Sequence, residues 1–467
     1  MVFNSLTFGL FFLVVLMVLP WLHLRAANLF LLVASIVFYA AWDWRFLGLL
    51  TFSTVLNFFT GAQIHQTEGV VRRRWLAFNV VVNLLVLGFF KYYGFFAENF
   101  NSLWASLGGQ ASLPTLQIVL PLAISFYTFH CLSYAIDIFR RQLVPAERLT
   151  DFALYLLLFP HLVAGPIVRA ARLLPQIAGA RQTTPQDWHS GIFLILWGLC
   201  KKSVVADNLA PKADQLFAMQ QASAGEVFLG VLAFAFQIYA DFSGYTDIAR
   251  GSARLMGFHF DLNFRFPYFA ANPQDFWRRW HISLSEWLRD YLYIPLGGNR
   301  HGEARTYVNL LLTMVVGGLW HGAAWNFILW GAYHGVLLSA HRFWLRSRAR
   351  GCVSHPLLKA MAVLGMFGFT LYGWLLFRAV SFGQIVAFTG AFVDPSSLLA
   401  PEVLKGLAKM LIYIFPMLVV EVWMIQRRAS ELVFGSAIGN GLLYLALIYT
   451  TLLLGAQSGE TFIYFNF

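Results

Sequence analysis

Residues 272 to 291 read Asn272-Pro-Gln-Asp-Phe-Trp-Arg-Arg-Trp-His281-Ile-Ser-Leu-Ser-Glu-Trp-Leu-Arg-Asp-Tyr291, a segment rich in both charge and tryptophan. A long apolar run follows and is interrupted by Gly317-Gly318-Leu319-Trp320-His321-Gly322. Charged and imidazole side chains are costly in an apolar environment, so such groups within membrane-like sequence are functional candidates. These two segments guide the interpretation of the whole chain.

The composition predicts an all-α polytopic membrane protein. Apolar residues make up 59% of the 467 residues, charged residues make up 12%, and the mean hydropathy is +0.63. Several apolar runs can cross about 30 Å of hydrocarbon, where helices satisfy their own backbone hydrogen bonds. We count about 11 to 13 membrane segments in a single domain covering residues 1–467. Prolines and charged residues indicate broken or re-entrant helices between residues 150 and 270, namely Pro160, Pro166, Arg169, Lys201, Lys202 and Pro211.

The distribution of basic residues predicts the orientation of the chain. The net charge is +11, and the basic residues cluster between apolar runs, at residues 72–74, 140–148, 342–350 and 427–428. Basic loops face the cytoplasm in membrane proteins, which places both termini on the opposite side. The pattern is typical of membrane topology rather than of a nucleic-acid surface, so we expect no nucleic-acid partner.

The charged segment is predicted to be one amphipathic helix at the membrane surface. Asn272 and Asp275 suit the N-cap and N3 positions. Apolar residues then recur at helical spacing, at Trp277, Trp280, Leu284, Trp287, Leu288 and Tyr291. Such a helix is often only an interfacial anchor, but His281 falls beside the apolar stripe. Arg278 and Arg279 are suited to attract an anionic donor such as coenzyme A.

His321 is the strongest candidate for a general base. Gly317, Gly318 and Gly322 flank it, and we interpret them as helix breakers that let a backbone or substrate come close. Near neutral pH an imidazole can accept the proton of a hydroxyl that attacks a thioester. The alternative is a core histidine satisfied by its surroundings.

Two carboxylates at the end of an apolar run are expected to be paired. Asp241 and Asp247 would be costly there without partners, and Arg250 and Arg254 are the nearest basic residues along the chain. The structural interpretation is therefore an ion pair with one of these arginines.

The remaining histidines and the cysteines carry weaker signals. His334 lies thirteen residues after His321 and is predicted to be a packed polar group on the opposite helix face. Asn299, with Arg300, suits a helix cap or a ligand contact, and His130 and His161 are left without an assigned role at this point. The histidines lack metal-ligand spacing, as do the three cysteines, Cys131, Cys200 and Cys352, so we expect no metal.

Several of these segments together resemble the signature of the membrane-bound O-acyltransferase family. They include Trp277-Arg-Arg-Trp-His281-Ile-Ser-Leu-Ser, Asp290-Tyr-Leu-Tyr-Ile-Pro-Leu-Gly-Gly-Asn299-Arg, Leu319-Trp-His321-Gly, Pro121-Leu-Ala-Ile-Ser-Phe-Tyr-Thr-Phe, Pro160-His-Leu-Val-Ala-Gly-Pro166 and Asp241-Phe-Ser-Gly-Tyr-Thr-Asp247. The resemblance covers nearly the whole chain and is strongest to the bacterial branch that O-acetylates envelope polysaccharides such as alginate. It implies a fold in which spans surround a central tunnel.

The resemblance also implies roles for individual residues. His321 would be the catalytic histidine, and His281 the second histidine, lining the tunnel from the cytoplasmic side. Further residues are expected to line the tunnel or the donor site: Trp280, Arg278, Arg279, Asn299, Trp320 and Asp241.

The chain ends in an aromatic tail, Phe462-Ile-Tyr464-Phe-Asn-Phe467. An interfacial aromatic belt is one interpretation of such a tail. The ending also resembles a C-terminal motif of polysaccharide-acylating members of the family, and that of the small membrane partner in teichoic-acid D-alanylation. By this resemblance His321 would activate Tyr464 to carry the acyl group briefly.

The sequence is therefore interpreted as a bacterial inner-membrane O-acyltransferase. We expect it to move an acetyl group from acetyl-coenzyme A, or another cytoplasmic thioester, toward a periplasmic partner of the SGNH (Ser-His-Asp) hydrolase-like type. That partner would modify an exopolysaccharide of the alginate or cellulose type within a polysaccharide synthesis complex, and both termini would be periplasmic. No tightly bound cofactor is expected.

Other functional classes remain open at this stage. A transporter or flippase of lipid-linked sugars would also have many spans, but it would favour inverted repeats, which the sequence does not show. A scaffold subunit without chemistry of its own is a second alternative. Within the enzyme class, peptidoglycan, a lipid or a protein could be the acceptor.

Overall fold

The computed structural model describes residues 1–110, 113–347, 355–456 and 462–463. Helices dominate these residues, and no strand occurs among them. Six segments are long and apolar enough to cross a membrane, namely Leu24–Gln66, Gly69–Ser106, Ala224–Leu255, Pro356–Arg378, Pro401–Gln426 and Ala437–Leu454. The prediction of an all-α polytopic membrane protein is confirmed. The larger number of 11 to 13 segments, which includes shorter and broken pieces, stays a prediction.

The described residues form two compact units. The first comprises residues 1–188 and 252–260, and the second comprises residues 189–251 and 261–467. The prediction of a single domain stays a prediction.

The helices of the first unit begin with long apolar segments and continue with short pieces. In chain order they are α1 (Leu6–Val18), α2 (Leu24–Asp43), α3 (Leu47–Gln66), α4 (Gly69–Leu87), α5 (Tyr93–Ser106), α6 (Ile124–Phe139), α7 (Leu149–Leu157), α8 (Phe159–Ala164) and α9 (Ala170–Ala178). The short helices α7 to α9 agree with the broken helices that the prolines predicted. Pro160 lies in the first turn of α8, where its missing N–H has no intrahelical acceptor to lose.

The second unit contains the charged segment, residues 272–291. Its helices are α10 (Pro185–Cys200, which begins in the first unit), α11 (Asp207–Phe217), α12 (Ala224–Leu255, whose end belongs to the first unit), α13 (Pro273–Trp277), α14 (Ile282–Leu288), α15 (Glu303–His321), α16 (Trp325–Ser347), α17 (Pro356–Arg378), α18 (Phe382–Gly390), α19 (Pro401–Gln426) and α20 (Ala437–Leu454). Within the apolar window of α12, 89% of residues are buried, against 11% for α20. Thus α12 is an interior helix and α20 a peripheral one. The unbroken α12 also shows that the prediction of broken helices was wrong for residues 224–255.

Two glycines let α15 and α16 pack with their backbones in close approach. A Cβ at Gly318 would lie 2.2 Å from the carbonyl oxygen of Phe327, and a Cβ at Gly331 would lie 2.3 Å from that of Met314. Both distances are far shorter than a carbon–oxygen contact allows. Gly317 and Gly318 lie inside α15, so their interpretation as helix breakers was wrong; only Gly322 follows the end of the helix.

We predict that Gly331→Ala lowers the thermal stability of the purified protein. The new methyl group must push α16 away from α15, and overpacking of this kind costs roughly 1–3 kcal/mol. The measurement is the unfolding temperature in detergent. Gly365→Ala in α17 is the matched control, because a Cβ there meets nothing within 4 Å. Equal unfolding temperatures for the two variants would contradict the prediction.

Candidate active site

The charged segment, residues 272–291, is broken at His281. Asn272 caps α13 as predicted, since its side chain accepts a hydrogen bond from the backbone N–H of Asp275 at 2.8 Å. The helix ends at Trp277, and α14 begins only after His281, so the prediction of one continuous amphipathic helix was wrong. Trp280 is 1% exposed, so this tryptophan packs within the protein rather than at a headgroup boundary. Trp280 therefore does not act as an interfacial anchor.

His281 is held as a neutral side chain with a defined tautomer. Its backbone has a φ of +41°, and its Nδ1 accepts a hydrogen bond from the backbone N–H of Leu284 at 3.2 Å. An accepting Nδ1 leaves the proton of the neutral ring on Nε2. No other described residue hydrogen-bonds to Nε2. Complete burial lowers the pKa of His281 to about 3, because desolvation penalises the charged imidazolium. The residue is therefore a hydrogen-bond donor at physiological pH.

His321 lies in a different environment, at the C-terminal end of α15. It is 3% exposed, and its ring centroid lies 5.0 Å from Trp320, 5.1 Å from Trp330 and 5.4 Å from Phe377. The carbonyl end of a helix favours a positive charge. An imidazole at this position is thus suited to accept a proton during a reaction.

Trp320 connects the two histidines. Its ring centroid lies 6.1 Å from that of His281 and 5.0 Å from that of His321, with edge-to-face geometry in both cases. One indole ring therefore contacts both the neutral donor and the candidate base. The structure brings together the two histidines that the sequence analysis proposed as catalytic.

A cavity of about 870 Å³ in the second unit is lined by residues of the stretch from α13 to α16. Its polar wall includes four arginines, Arg278, Arg289, Arg342 and Arg346, and two glutamates, Glu286 and Glu303. Cations thus outnumber carboxylates in the lining. This excess of positive charge in the lining suits an anionic ligand.

Most of the cavity arginines already have carboxylate partners. Arg342 and Arg346 both pair with Glu303, and Arg289 pairs with Asp290 at 2.7 Å. Arg278 makes no salt bridge within the described part of the chain. It is therefore the cavity cation with most capacity to bind an incoming anion.

Two residues of the cavity wall lie on the same face of α15 as His321. Leu310 and Met314 line the cavity. They precede His321 by about three turns and two turns respectively, and the helical period places all three residues on nearly the same face. A second connection runs through Trp277 of the lining, whose ring lies 5.7 Å from Trp330, itself in contact with His321.

The structure assigns different surroundings to the other predicted lining residues. Asn299 lines the cavity beside Arg278. Arg279 instead pairs with Asp275 at 2.8 Å, and Trp280 packs against Trp374 at 4.8 Å. Arg279 and Trp280 thus support the segment rather than line the cavity.

The two carboxylates of α12 are paired, but chiefly with lysines. Asp247 lies 2.5 Å from the Lys201 Nζ and 3.2 Å from Arg250, so its predicted pairing with Arg250 is confirmed. Asp241 lies 2.9 Å from the Lys202 Nζ, so its predicted pairing with an arginine was wrong. Lys201 and Lys202 begin a π-helical turn, Lys201–Ala206, after α10. In the sequence these two lysines indicate only a broken helix. Their charge within an apolar run was the signal that could have identified them as partners of the carboxylates.

The remaining histidines lie elsewhere. His334 belongs to α16, a separate helix from that of His321, so the argument from opposite faces of one helix was wrong. It is nevertheless packed, with its ring 5.9 Å from Phe276 and 4.8 Å from Trp330. His130 and His161 form a buried pair in the first unit, with ring centroids 5.0 Å apart. Tyr464 lies outside the described residues. Among the residues that the structure describes, no group of three or more metal-ligating side chains occurs.

Comparisons with known proteins identify the family of this chain. The membrane-bound O-acyltransferase family, MBOAT, matches residues 146–382. The probable alginate O-acetylase AlgI of Azotobacter vinelandii is 45% identical over 384 residues, which cover 81% of this chain and 75% of that protein. The peptidoglycan O-acetyltransferase of Helicobacter pylori is 39% identical over 382 residues, covering 75% and 71% respectively. The teichoic acid D-alanyltransferase of Streptococcus thermophilus is 30% identical over 241 residues, covering 49% and 58%. The chain belongs to the membrane-bound O-acyltransferase family and is an O-acyltransferase.

We predict that His281→Asn reduces the loss of stability on acidification. The pKa of His281 is about 3 in the folded protein and about 6.5 in an unfolded chain. The unfolded state therefore takes up a proton first as the pH falls, and the free energy of unfolding decreases from about pH 6.5 to about pH 3. Asparagine preserves the helix cap and tolerates the positive φ. The unfolding temperature across this pH range is the measurement, with His301→Asn, an exposed position, as the control. An unchanged pH dependence in His281→Asn would contradict the neutral state of this residue.

Proposed function

We propose that this O-acyltransferase moves an acetyl group from a cytoplasmic thioester, acetyl-coenzyme A or a similar donor, for O-acetylation of an envelope polysaccharide. The similarity to alginate O-acetylases supports a polysaccharide of the alginate type. The predicted orientation supports the cytoplasmic side for the donor, since Arg342 and Arg346 belong to a basic cluster assigned to that side. The protein would lie in the bacterial inner membrane with periplasmic termini.

The observation that carries this proposal is that α15, the helix that ends at His321, also forms part of the wall of the cationic cavity. An anionic donor such as coenzyme A needs cations for its phosphates and a path for its acyl arm toward the base. Arg278 offers a cation for the phosphates. The face of α15 that carries Leu310 and Met314 offers a surface along which the acyl arm could extend. A passive scaffold would not need a cationic cavity on the helix that carries a buried histidine.

The reaction follows from the two histidine environments. His321 takes the proton of an acceptor hydroxyl, whose oxygen attacks the carbonyl carbon of the thioester. The Nε2–H of His281 donates a hydrogen bond to the carbonyl oxygen as negative charge develops on it. The carbon–sulfur bond then breaks, the sulfur takes the proton from the His321 imidazolium, and an ester and a free thiol result.

Tyr464 is the acceptor hydroxyl that we propose for the first step. An acetylated phenol is a reasonable relay, because a phenolate leaves more readily than an alkoxide. A periplasmic SGNH hydrolase-like partner within a polysaccharide synthesis complex would then transfer the acetyl group to the polymer. Peptidoglycan is the second candidate polymer, because a peptidoglycan O-acetyltransferase shares 39% identity over 382 residues with this chain.

We predict that His321→Gln lowers acetyl transfer by roughly 10²- to 10⁴-fold, the usual contribution of a general base. The measurement incubates the purified protein with radiolabelled acetyl-coenzyme A and quantifies label on the chain. His334→Gln is the matched control, since this buried histidine also contacts Trp330. An equal loss of acetyl label in the two variants would contradict a catalytic role of His321.

The same measurement tests the relay. We predict that Tyr464→Phe abolishes label on the chain, because it lacks the hydroxyl that would accept the acetyl group. Label persisting in Tyr464→Phe but absent in His321→Gln would retain the enzyme and exclude the tail relay. Absence of label on every form, the wild type included, would count against acetyl-coenzyme A as the donor of the isolated protein.

We predict that Arg278→Gln raises the KM for the donor roughly tenfold and changes kcat little. One hydrogen bond to a charged phosphate is lost, and such bonds contribute about 1.5 kcal/mol at the lower end of their range. Arg279→Gln is the control, because that arginine is occupied by Asp275. An unchanged KM for Arg278→Gln would place the donor elsewhere.

A further inference from the structure

The end of the chain is bound at two places near the π-helical turn Lys201–Ala206. After α20, the backbone N–H of Ala456 donates to the carbonyl oxygen of Ser203 at 3.0 Å. The side chain of Asn208 donates to the carbonyl oxygen of Leu454 at 2.8 Å. The segment that follows α10 therefore also fixes the exit of α20.

The second contact involves a buried carboxylate. The backbone N–H of Ile463 donates a hydrogen bond to Asp241 Oδ2 at 2.7 Å. The other carboxylate oxygen of Asp241 faces the ammonium group of Lys202, which also lies 2.8 Å from Asp207. All three side chains of this ion group are buried. A charged acceptor makes a stronger hydrogen bond than a neutral one, so a main-chain N–H is held firmly here.

Aromatic stacking holds the neighbouring residue. Phe462 is fully buried and stacks on Tyr245, with ring centroids 4.3 Å apart and an interplanar angle of 18°. It also lies 5.9 Å from Phe242, whose ring is 4.8 Å from His281. A single phenylalanine ring thus separates the bound tail from the histidine of the active site.

The three contact residues of α12 form one patch. Asp241, Phe242 and Tyr245 lie within little more than one turn of the helix. Burying Asp241 and Lys202 is costly, and replacing such a pair by apolar residues often leaves stability unchanged or higher. Fold stability alone therefore gives little reason for an ion pair at this position, whereas directional binding of a backbone N–H does.

We propose that Asp241 and Lys202 are positioning residues that dock the C-terminal segment of this chain beside His281. The docking site consists of Asp241, Tyr245 and Phe242, with Lys202 fixing the carboxylate. It recognises an aromatic peptide segment through one main-chain N–H and one stacked ring. Its effect on turnover rests on the proposed function, because Tyr464 is the next residue after Ile463 in the sequence.

Hydrogen exchange on the full-length protein tests the docking itself. In Asp241→Ala we expect the Ile463 amide to exchange roughly 10- to 100-fold faster, as for loss of a hydrogen bond to a charged group. Asp247→Ala is the matched control, since Asp247 pairs with Lys201 and Arg250 in the neighbouring ion group. Unchanged exchange at Ile463 in Asp241→Ala would overturn the docking site. This measurement needs no acetyl transfer, so it does not depend on the proposed function.

Turnover tests the positioning role. Ile463→Pro removes the N–H donor and leaves the buried ion group intact, so it remains informative if Asp241→Ala fails to fold. We expect kcat to fall roughly 10- to 100-fold, as for a misplaced reacting group, with an unchanged KM for acetyl-coenzyme A. Ile463→Val should behave as the wild type, and the double variant Ile463→Pro with Asp241→Ala should be no worse than either single variant. A wild-type kcat in Ile463→Pro would overturn the positioning role.

Discussion

The close packing of α15 against α16 is the contact on which the candidate active site depends. Gly318 and Gly331 have no side chain to keep the two backbones apart. Because the helices approach so closely, Trp330 of α16 meets the ring of His321 at the end of α15. The same helix pair supplies Met314 and Arg342 to the wall of the cavity. Glycine allows this packing because it has no Cβ to hold the backbones apart.

The two candidate histidines lie in different environments because their backbones place them differently. His281 occupies a left-handed cap position, where a backbone N–H fixes its tautomer and burial keeps it neutral. His321 terminates a helix, and the helix dipole there favours the protonated ring. An acyl transfer needs both a donor for the developing oxyanion and a base for the nucleophile. In the mechanism that we propose, these two tasks fall to two rings that share contact with Trp320.

The buried charges of α12 find their partners within the second unit. Lys201 and Lys202 extend from a π-helical turn, and each meets a carboxylate of α12. Such turns often occur at functional sites, because the extra residue redirects side chains away from the regular helical positions. Here the redirected lysines neutralise carboxylates that would otherwise be too costly, and they leave one oxygen of Asp241 for the tail.

Sequence alone determined the class of the fold, the capping of α13 at Asn272, and His281 and His321 as the two candidate histidines. The fold class and the cap depend on composition and on local residue preferences, whereas the pairing of His281 with His321 as candidates rests on the family resemblance. Sequence could not place the break at His281, because helical periodicity continues through a residue whose left-handed backbone is stabilised by burial. It misjudged Gly317 and Gly318, since a glycine that breaks a helix and one that admits a neighbouring helix look identical in one dimension. The partner of Asp241 and the docking of Ile463 join residues far apart in the chain, so only the tertiary structure could decide them.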